Sequence, residues 1–173
     1  MWDFFETVRH RHSVHRYQSD MPVEEEKLAA ILEMSCAAPT AGGVQAYCIH
    51  CVESAATREA LDAACGQSDC LGGAPVVLCF SADRQRAAKQ CGERGETLFA
   101  IQDATIAAAY AQLAVTASGL GSNWIGNFDE QAVRDALQLP DYLQPIALIT
   151  VGYPAENPPA SPRRPIQEVV VRL

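Results

Sequence analysis

Basic residues are scarce in this chain of 173 residues. It has 13 lysines and arginines against 21 aspartates and glutamates, which gives a net charge of −8 and a pI of about 4.9. General nucleic-acid binders carry a domain-wide positive field, with lysines and arginines spread over one face. The composition therefore excludes that class, and any anion that the chain binds is expected to be small.

Several familiar catalytic motifs are also missing. The chain has no G-x-S-x-G nucleophile elbow, no phosphate-binding P-loop and no H-E-x-x-H zinc motif. Gly119, Gly121 and Gly126 do not form a G-x-G-x-x-G fingerprint, and they follow a predicted helix where that motif would follow a strand. These absences exclude the common hydrolase templates and disfavour a Rossmann site for a nicotinamide.

A secretory signal is absent, because residues 1–12 carry charge throughout and no small-residue cleavage site follows them. Residues 104–128 have no formal charge and reach the length of a membrane span, but polar side chains and glycines interrupt them. We predict instead that residues 102–118 form a central helix that is buried nearly all round. The protein is expected to be cytoplasmic, with neither a membrane nor a nucleic acid as partner.

Neither an internal repeat nor a low-complexity tract divides the chain. Its 49% of apolar residues can form the core of one domain over residues 1–173. Helices and strands alternate without a regular β-α period, which favours an α+β fold over a doubly wound sheet. The predicted helices span residues 3–8, 22–38, 54–64, 102–118 and 129–137, with residues 83–96 as an exposed helix or loop. The predicted strands span residues 13–17, 45–52, 75–81, 122–125, 145–152 and 166–173.

Seven cysteines raise the question of a metal site or of disulfides, because Cys48 and Cys51 form a C-x2-C pair and Cys65 and Cys70 follow. The first pair lies in an extended segment, residues 46–53, which lacks the Gly or Pro of a zinc knuckle. Positions three apart in a strand point to opposite faces, so the two sulfurs do not face one ion. We therefore predict reduced cysteines and no metal, with a cysteine-based metal protein as an alternative.

The basic side chains that do occur are concentrated near the N-terminus. Six of the eight residues from Arg9 to Arg16 are basic or potentially basic, and Ser13 adds a hydroxyl among them. Cations, imidazole N–H groups and a hydroxyl match the acceptor-rich surface of a phosphate. We interpret this block as an anion site, and the alternative is a solvated basic helix end.

Residues 155–173 are interpreted as a C-terminal arm. Five prolines lie between positions 154 and 165 and stiffen an extended connector. Residues 166–173 are rich in β-branched side chains and are predicted to form a strand that pairs with a distant partner. Because a stiff arm ending in a strand suits exchange between subunits, we predict a symmetric homodimer.

Four short segments stand in a characteristic order along nearly the whole chain. They read RHSVH at residues 11–15, PTAGGVQ at 39–45, GLGSNWIG at 119–126 and RRPIQEV at 163–169. In this order they resemble the FMN-dependent nitroreductase family, with its R-[RH]-S-x-[RK], P-S-x-x-N-x-Q, G-L-G-S-x-W-I-G and K-x-R-x-P-[IL]-E-E patterns. Two positions depart from the family: His15 replaces an Arg or Lys, and Gly43 replaces an Asn.

The resemblance implies a nitroreductase-like α+β fold, with a mostly antiparallel central sheet flanked by helices and a C-terminal arm exchanged in a homodimer. It implies FMN at the dimer interface, and hydride transfer from NADH or NADPH through the flavin to a nitro-aromatic, quinone or related acceptor. The flavin carries this chemistry, so a catalytic side chain is not expected. The alternative is a flavin-binding protein without efficient turnover, used in storage, sensing or assembly.

The residues that the resemblance assigns to FMN come from the same four segments. They are Arg11, His12, Ser13, His15, Pro39, Thr40, Ala41, Gly43, Gln45, Trp124, Ile125, Gly126 and Arg163. We call residues 9–16 the basic segment. Its four assigned residues and Arg163 are expected at the phosphate and ribityl end of the cofactor. The other basic side chains nearby, Arg9, His10, Arg16 and Arg164, are expected to be solvated.

Overall fold

The computed structural model of the chain describes residues 3–66 and 69–173. Its centre is a four-stranded antiparallel sheet in the order β1-β2-β4-β3. The strands are β1 (Tyr47–Val52), β2 (Val76–Asp83), β3 (Gly121–Ile125) and β4 (Leu143–Gly152). Four of the predicted strands and the antiparallel α+β architecture are therefore confirmed.

The apolar sequences of β2 and β4 explain why these strands occupy the middle of the sheet. β2 is buried from Val76 to Ala82, and β4 is buried from Ala147 to Gly152. A strand that is covered on both faces reads as a nearly continuous apolar run, as these two do. The outer strands β1 and β3 are only partly buried.

Helices pack on both faces of this sheet. They are α1 (Phe4–His10), α2 (Glu25–Cys36), α3 (Ala55–Ala64), α4 (Arg84–Arg94), α5 (Ala100–Ala117), α6 (Glu130–Leu137) and α7 (Ile166–Val169), with a π-helical turn at Gly95–Phe99. Asp3 and Asp129 cap α1 and α6 by accepting backbone N–H groups at 2.8 and 2.9 Å. Gly119, with φ of 76°, follows the end of α5. These residues explain where α1 and α6 begin and where α5 ends.

The second helix starts later than its sequence predicts. Pro22 is a good first helical residue, yet α2 begins at Glu25 and Glu24 is extended. The Glu24 carboxylate accepts hydrogen bonds from the Tyr153 hydroxyl at 2.6 Å and from Lys27 Nζ at 3.2 Å. The bond to Tyr153 crosses 129 residues of sequence, so no local pattern could reveal it.

α5 is the central helix, but only part of its surface is buried. The small side chains of Ala107, Ala108 and Ala111 pack on the sheet. Ala109 and Tyr110, in contrast, face outward, and 40% of Tyr110 is exposed. The predicted burial nearly all round is therefore wrong for a single chain. A row of alanines on the sheet side lets the helix approach closely, and Ala109 and Tyr110 on the other side stay exposed although α1 and α2 contact the same helix.

The helical run Arg84–Ala117 is long and apolar enough to cross a membrane by length and composition alone. Within it, however, Asp103 and Gln112 are buried, and α5 packs on strands β2 and β4. An apolar helix that buries polar groups against a sheet is typical of the core of a globular fold. We interpret α5 in that way.

Residues 13–17 do not form the predicted strand, because only Ser13 and Tyr17 make isolated bridges, to Ser122 and Pro154, where the segment crosses the end of the sheet. The Val14 N–H donates to the Ser122 carbonyl at 3.0 Å, and the Tyr17 N–H donates to the Gly72 carbonyl at 3.0 Å. The Tyr17 hydroxyl is buried and donates to the Val14 carbonyl at 2.7 Å. Burial raises the pKa of Tyr17 far above its ordinary value, so this hydroxyl keeps its proton.

The C-terminal residues do not form the predicted strand. Ile166–Val169 make a single helical turn, in which Arg164 Nε pairs with Glu168 at 3.2 Å, and only Val170 is extended again. Residues 159–173 are all exposed. β-branched side chains favour a strand only where a neighbouring strand supplies the ladder, and none in the described part of the chain lies beside this segment.

Candidate active site

The arginines around α1 differ in whether they already have an acidic partner. Arg9 pairs with Glu6 at 2.9 Å, and Arg16 pairs with Asp69. Arg11 directly follows α1 and is partly buried, yet no carboxylate of the described residues forms an ion pair with it. Its guanidinium is therefore available to an external anion, as predicted for Arg11 and not for its two neighbours.

Arg163 of the arm approaches Arg11. The pKa of Arg11 is lowered, first by burial and then by the positive charge of Arg163. Arg163 donates to the Ser161 carbonyl at 3.0 Å, whereas the adjacent Arg164 is already paired with Glu168. Two guanidinium groups that come together without a carboxylate are typical of a site for a multiply charged anion.

The start of the arm is tied to the basic segment. The His15 N–H donates to Glu156 Oε1 at 2.7 Å, and the Ala155 N–H donates to the Arg16 carbonyl at 2.9 Å. Ser13 lies beside β3 in a parallel bridge with Ser122. These contacts explain how residues from opposite ends of the sequence can build one anion site.

The basic segment borders two different cavities. His12 lines one of 370 Å³ at the C-terminal end of α5, and His15 lines another of 380 Å³ at the end of β3. The second cavity is also lined by Trp124, Ile125 and Gly126. Val14 lies in the segment between the two histidines and is buried against Gly121. The structure thus brings His15 together with three predicted residues, while His12 lies on the other side.

The second part of the predicted site is the loop of residues 39–45 between α2 and β1. It contains one turn of 3-10 helix, Ala41–Gly43, whose two glycines have φ of 60° and 72°. Gln45 also has a positive φ, 52°, which is costly for a residue with a Cβ and must be imposed by its surroundings. Thr40 Oγ1 accepts the Gln45 N–H at 3.2 Å, and Pro39 is exposed at the start of the loop.

A buried carboxylate holds this loop, and it was not among the predicted site residues. Asp103, in the first turn of α5, is only 2% exposed. Its two oxygens accept the N–H of Ala41 at 2.9 Å and of Ala46 at 3.1 Å. A buried carboxylate persists where such charge-assisted hydrogen bonds replace water. One feature of the sequence could have pointed to Asp103: it is the last charged residue before the uncharged residues 104–128.

The two parts of the predicted site lie far apart within one chain. Asp103 holds the loop at the first turn of α5. The last residue of α5, Ala117, lies on the side of the basic segment, and it is about 21 Å from Asp103 at 1.5 Å per residue. β1, which follows the loop, and β3 are opposite edges of the sheet, about 14 Å apart at three strand spacings. One chain therefore does not enclose a small cofactor with both parts.

Comparison with known proteins places this arrangement in a family. A family model described as the nitroreductase family matches residues 8–68 and 62–153. The chain belongs to the nitroreductase family. An NADH dehydrogenase from Thermus thermophilus is 35% identical, over 93% of the chain and 91% of that protein. An FMN reductase (NADPH) from Bacillus subtilis is 27% identical, over 95% of the chain and 71% of that protein.

Solved structures give the same result for the fold. Nitroreductase A from Vibrio parahaemolyticus superposes with a TM-score of 0.89 at 27% identity, over 99% of the chain and 76% of that structure. The predicted nitroreductase-like fold is therefore confirmed. The family and the named relatives also make this nitroreductase-family protein an NAD(P)H oxidoreductase.

Proposed function

We propose that the protein is an FMN-dependent NAD(P)H oxidoreductase that reduces a nitro-aromatic, quinone or related small acceptor. The observation that carries the proposal is that Arg163 lies close enough to Arg11 for its charge to lower the pKa of Arg11, while neither guanidinium has a carboxylate partner among the described residues. A phosphate monoester neutralises both charges and accepts several hydrogen bonds, as the FMN phosphate would. One relative is named an FMN reductase (NADPH), and this name supports the same cofactor.

The residues of this chain would bind and orient the flavin. Arg11, Arg163 and the Ser13 hydroxyl would hold the phosphate, while His12 and His15 flank this end from two sides. Gly126 has no Cβ at the rim of the cavity beside Trp124 and so leaves the backbone accessible. When bound, FMN would supply the hydride- and electron-transfer chemistry between the nicotinamide and the acceptor, and these side chains would bind it, orient it and exclude water.

The loop of residues 39–45 would reach the flavin of the partner subunit, because one chain does not enclose the cofactor. This homodimer is part of the proposal, and exposed apolar side chains support it. They are Phe4, Phe5, Val8, Tyr110, Ile166, Val169, Val170, Val171 and Leu173. β1 is an outer strand of the sheet, so its free edge can accept the extended end of an exchanged arm. The expected cytoplasmic location belongs to the same proposal.

Reduction of bound flavin tests this function. Purified protein loaded with FMN should be yellow, and anaerobic mixing with NADH or NADPH should bleach the flavin absorbance within a catalytic turnover time. A colourless protein that FMN cannot reconstitute would contradict the proposal. Bound FMN that neither nicotinamide reduces would instead support the alternative, a flavin-binding protein without turnover, which the departures at His15 and Gly43 suggested.

Arg163→Ala is expected to weaken FMN binding by about 1.5 to 3 kcal/mol, or roughly 10- to 150-fold, the range for hydrogen bonds to charged groups. Arg11→Ala should have a similar effect. Arg164→Ala is the matched control, because its guanidinium is already paired with Glu168. Fluorescence titration of FMN measures all three. Equal affinities for the Arg163 and Arg164 variants would move the phosphate site elsewhere.

A further inference from the structure

Two cysteines share the cavity that His15 and Trp124 line. Cys65 is the residue that directly follows α3, and Cys70 lies five positions later; both thiols line the 380 Å³ cavity. Cys65 is a buried member of an apolar cluster against which Cys70 packs, and the Cys70 thiol is a hydrogen-bond neighbour of the Cys65 thiol. Neither has a function in the proposed oxidoreductase.

The two thiols differ in exposure. Cys65 is only 4% exposed, and its Sγ donates to the Leu61 carbonyl at 3.3 Å, whereas Cys70 is half-buried at the cavity wall. Burial, together with the neighbouring Cys70 thiol, raises the pKa of Cys65 to about 12. Cys70 is therefore the thiol that meets a reagent from solvent, and Cys65 is the protonated thiol behind it.

Hydrogen bonds hold the backbone on either side of Cys70. Asp62 of α3 accepts the N–H of Asp69 at 3.1 Å and the N–H of Leu71 at 2.8 Å. Asp69 has a φ of 59° and pairs with Arg16 of the basic segment. The backbone around Cys70 is thus tied to α3, the helix that Cys65 directly follows.

We propose that Cys65 and Cys70 form a reversible disulfide when a hydroperoxide oxidises the chain. The Cys70 thiolate attacks one oxygen of the hydroperoxide and the O–O bond breaks, which gives a sulfenic acid; the other oxygen takes the proton that the Cys70 thiol released and leaves as water or an alcohol. The Cys65 sulfur then attacks the Cys70 sulfur, and the sulfenic hydroxyl takes the Cys65 proton and leaves as water. The two thiols lose two electrons, the hydroperoxide gains them, and a dithiol reductant reverses the reaction.

Cys48 and Cys51 serve as an internal control. They are closer in sequence than Cys65 and Cys70, and Cys51 is more exposed than either. Both lie on β1, where positions three apart point to opposite faces of the strand. Proximity in sequence and exposure alone would favour Cys48–Cys51, whereas the cavity geometry favours Cys65–Cys70.

Peptide mapping after treatment of the full-length protein with equimolar hydrogen peroxide tests the proposal. The tryptic peptide of residues 59–84 contains Cys65, Cys70 and Cys79, and the peptide of residues 28–58 contains Cys36, Cys48 and Cys51. We expect the first peptide to lose two hydrogen atoms, with backbone fragments missing between Cys65 and Cys70 but present from Leu71 onward. Dithiothreitol should restore the original mass, and Cys70→Ser should abolish the change.

A second measurement reports on the cavity itself. Trp2→Phe leaves Trp124 as the sole tryptophan, and a disulfide beside an indole quenches its emission. We expect peroxide to lower Trp124 fluorescence reversibly in this background, and Cys70→Ser to remove the response. Preferential oxidation of Cys36, Cys48 or Cys51 while Cys65 and Cys70 stay reduced would overturn the proposal. An unchanged mass of the peptide of residues 59–84 together with an unchanged Trp124 emission after peroxide treatment would overturn it as well.

Discussion

Gly72→Ala is expected to lower the free energy of unfolding by about 3 to 5 kcal/mol, through a positive φ and a direct clash. The φ of Gly72 is 59°, and an added Cβ would lie 1.9 Å from the His15 carbonyl oxygen and 2.8 Å from its carbon. Those atoms belong to the backbone, which is fixed by the Tyr17 N–H bond to the Gly72 carbonyl. The chain can relieve the clash only by moving the basic segment.

Urea unfolding of Gly72→Ala and of Gly73→Ala checks this prediction. Gly73 is the matched control, because its φ is 76° but an added Cβ would come no closer than 3.7 Å to Ser19. Gly73→Ala should therefore cost only about 1 to 2 kcal/mol, the penalty of the left-handed conformation. Similar losses for the two variants would show that the close approach to His15 does not hold the segment in place.

Asp103→Ala is expected to lower the free energy of unfolding by about 3 to 5 kcal/mol, since hydrogen bonds to charged groups contribute about 1.5 to 3 kcal/mol each. The change removes both acceptors of the loop and leaves the N–H groups of Ala41 and Ala46 without their partner. We also expect weaker FMN binding, because the conformation of Gln45 and its neighbours depends on this anchor.

The control for Asp103 is a carboxylate that makes one exposed bond. Asp129 accepts a single N–H, from Ala132 at 2.9 Å, so Asp129→Ala should cost about 1 kcal/mol and leave FMN affinity unchanged. Urea unfolding and FMN titration of both variants separate the two effects. If Asp103→Ala binds FMN as tightly as the unchanged protein, the loop of residues 39–45 does not contact the cofactor.

Local signals in the sequence predicted much of the fold. Asp3 and Asp129 cap helices in the structure, and the apolar runs of β2 and β4 are buried as central strands. The exceptions depend on distant contacts. Tyr153 holds Glu24 outside α2, and residues 166–169 are helical because no strand of the described chain lies beside them. Neither the Tyr153 contact nor the lack of a neighbouring strand leaves a periodic pattern in the sequence.

The sequence names candidate residues for the site but does not give their arrangement. The basic segment could be recognised, but only ion pairing in three dimensions distinguishes Arg11 from Arg9 and Arg16, and Arg163 from Arg164. Asp103 was missed because a single acid in an apolar helix shows no pattern. The opposite placement of the loop and the basic segment follows from sheet order, which short motifs do not encode.

We propose that each FMN site is built from the basic segment of one chain and the loop of another. Co-expression of Arg11→Ala and Asp103→Ala chains with different tags allows mixed dimers to be isolated by two affinity steps. One of their two sites then combines an intact basic segment with an intact loop, and the other carries both defects. Gln45→Ala provides a second loop variant if Asp103→Ala is too unstable.

FMN titration of these mixed dimers is the most direct test. If the site is shared between chains, about half of the sites in the mixed dimers should bind FMN with the affinity of the unchanged protein, although neither parent homodimer does so. If both parts came from the same chain, every site would carry one defect. Mixed dimers that bind FMN no better than the two homodimers would therefore exclude a shared site.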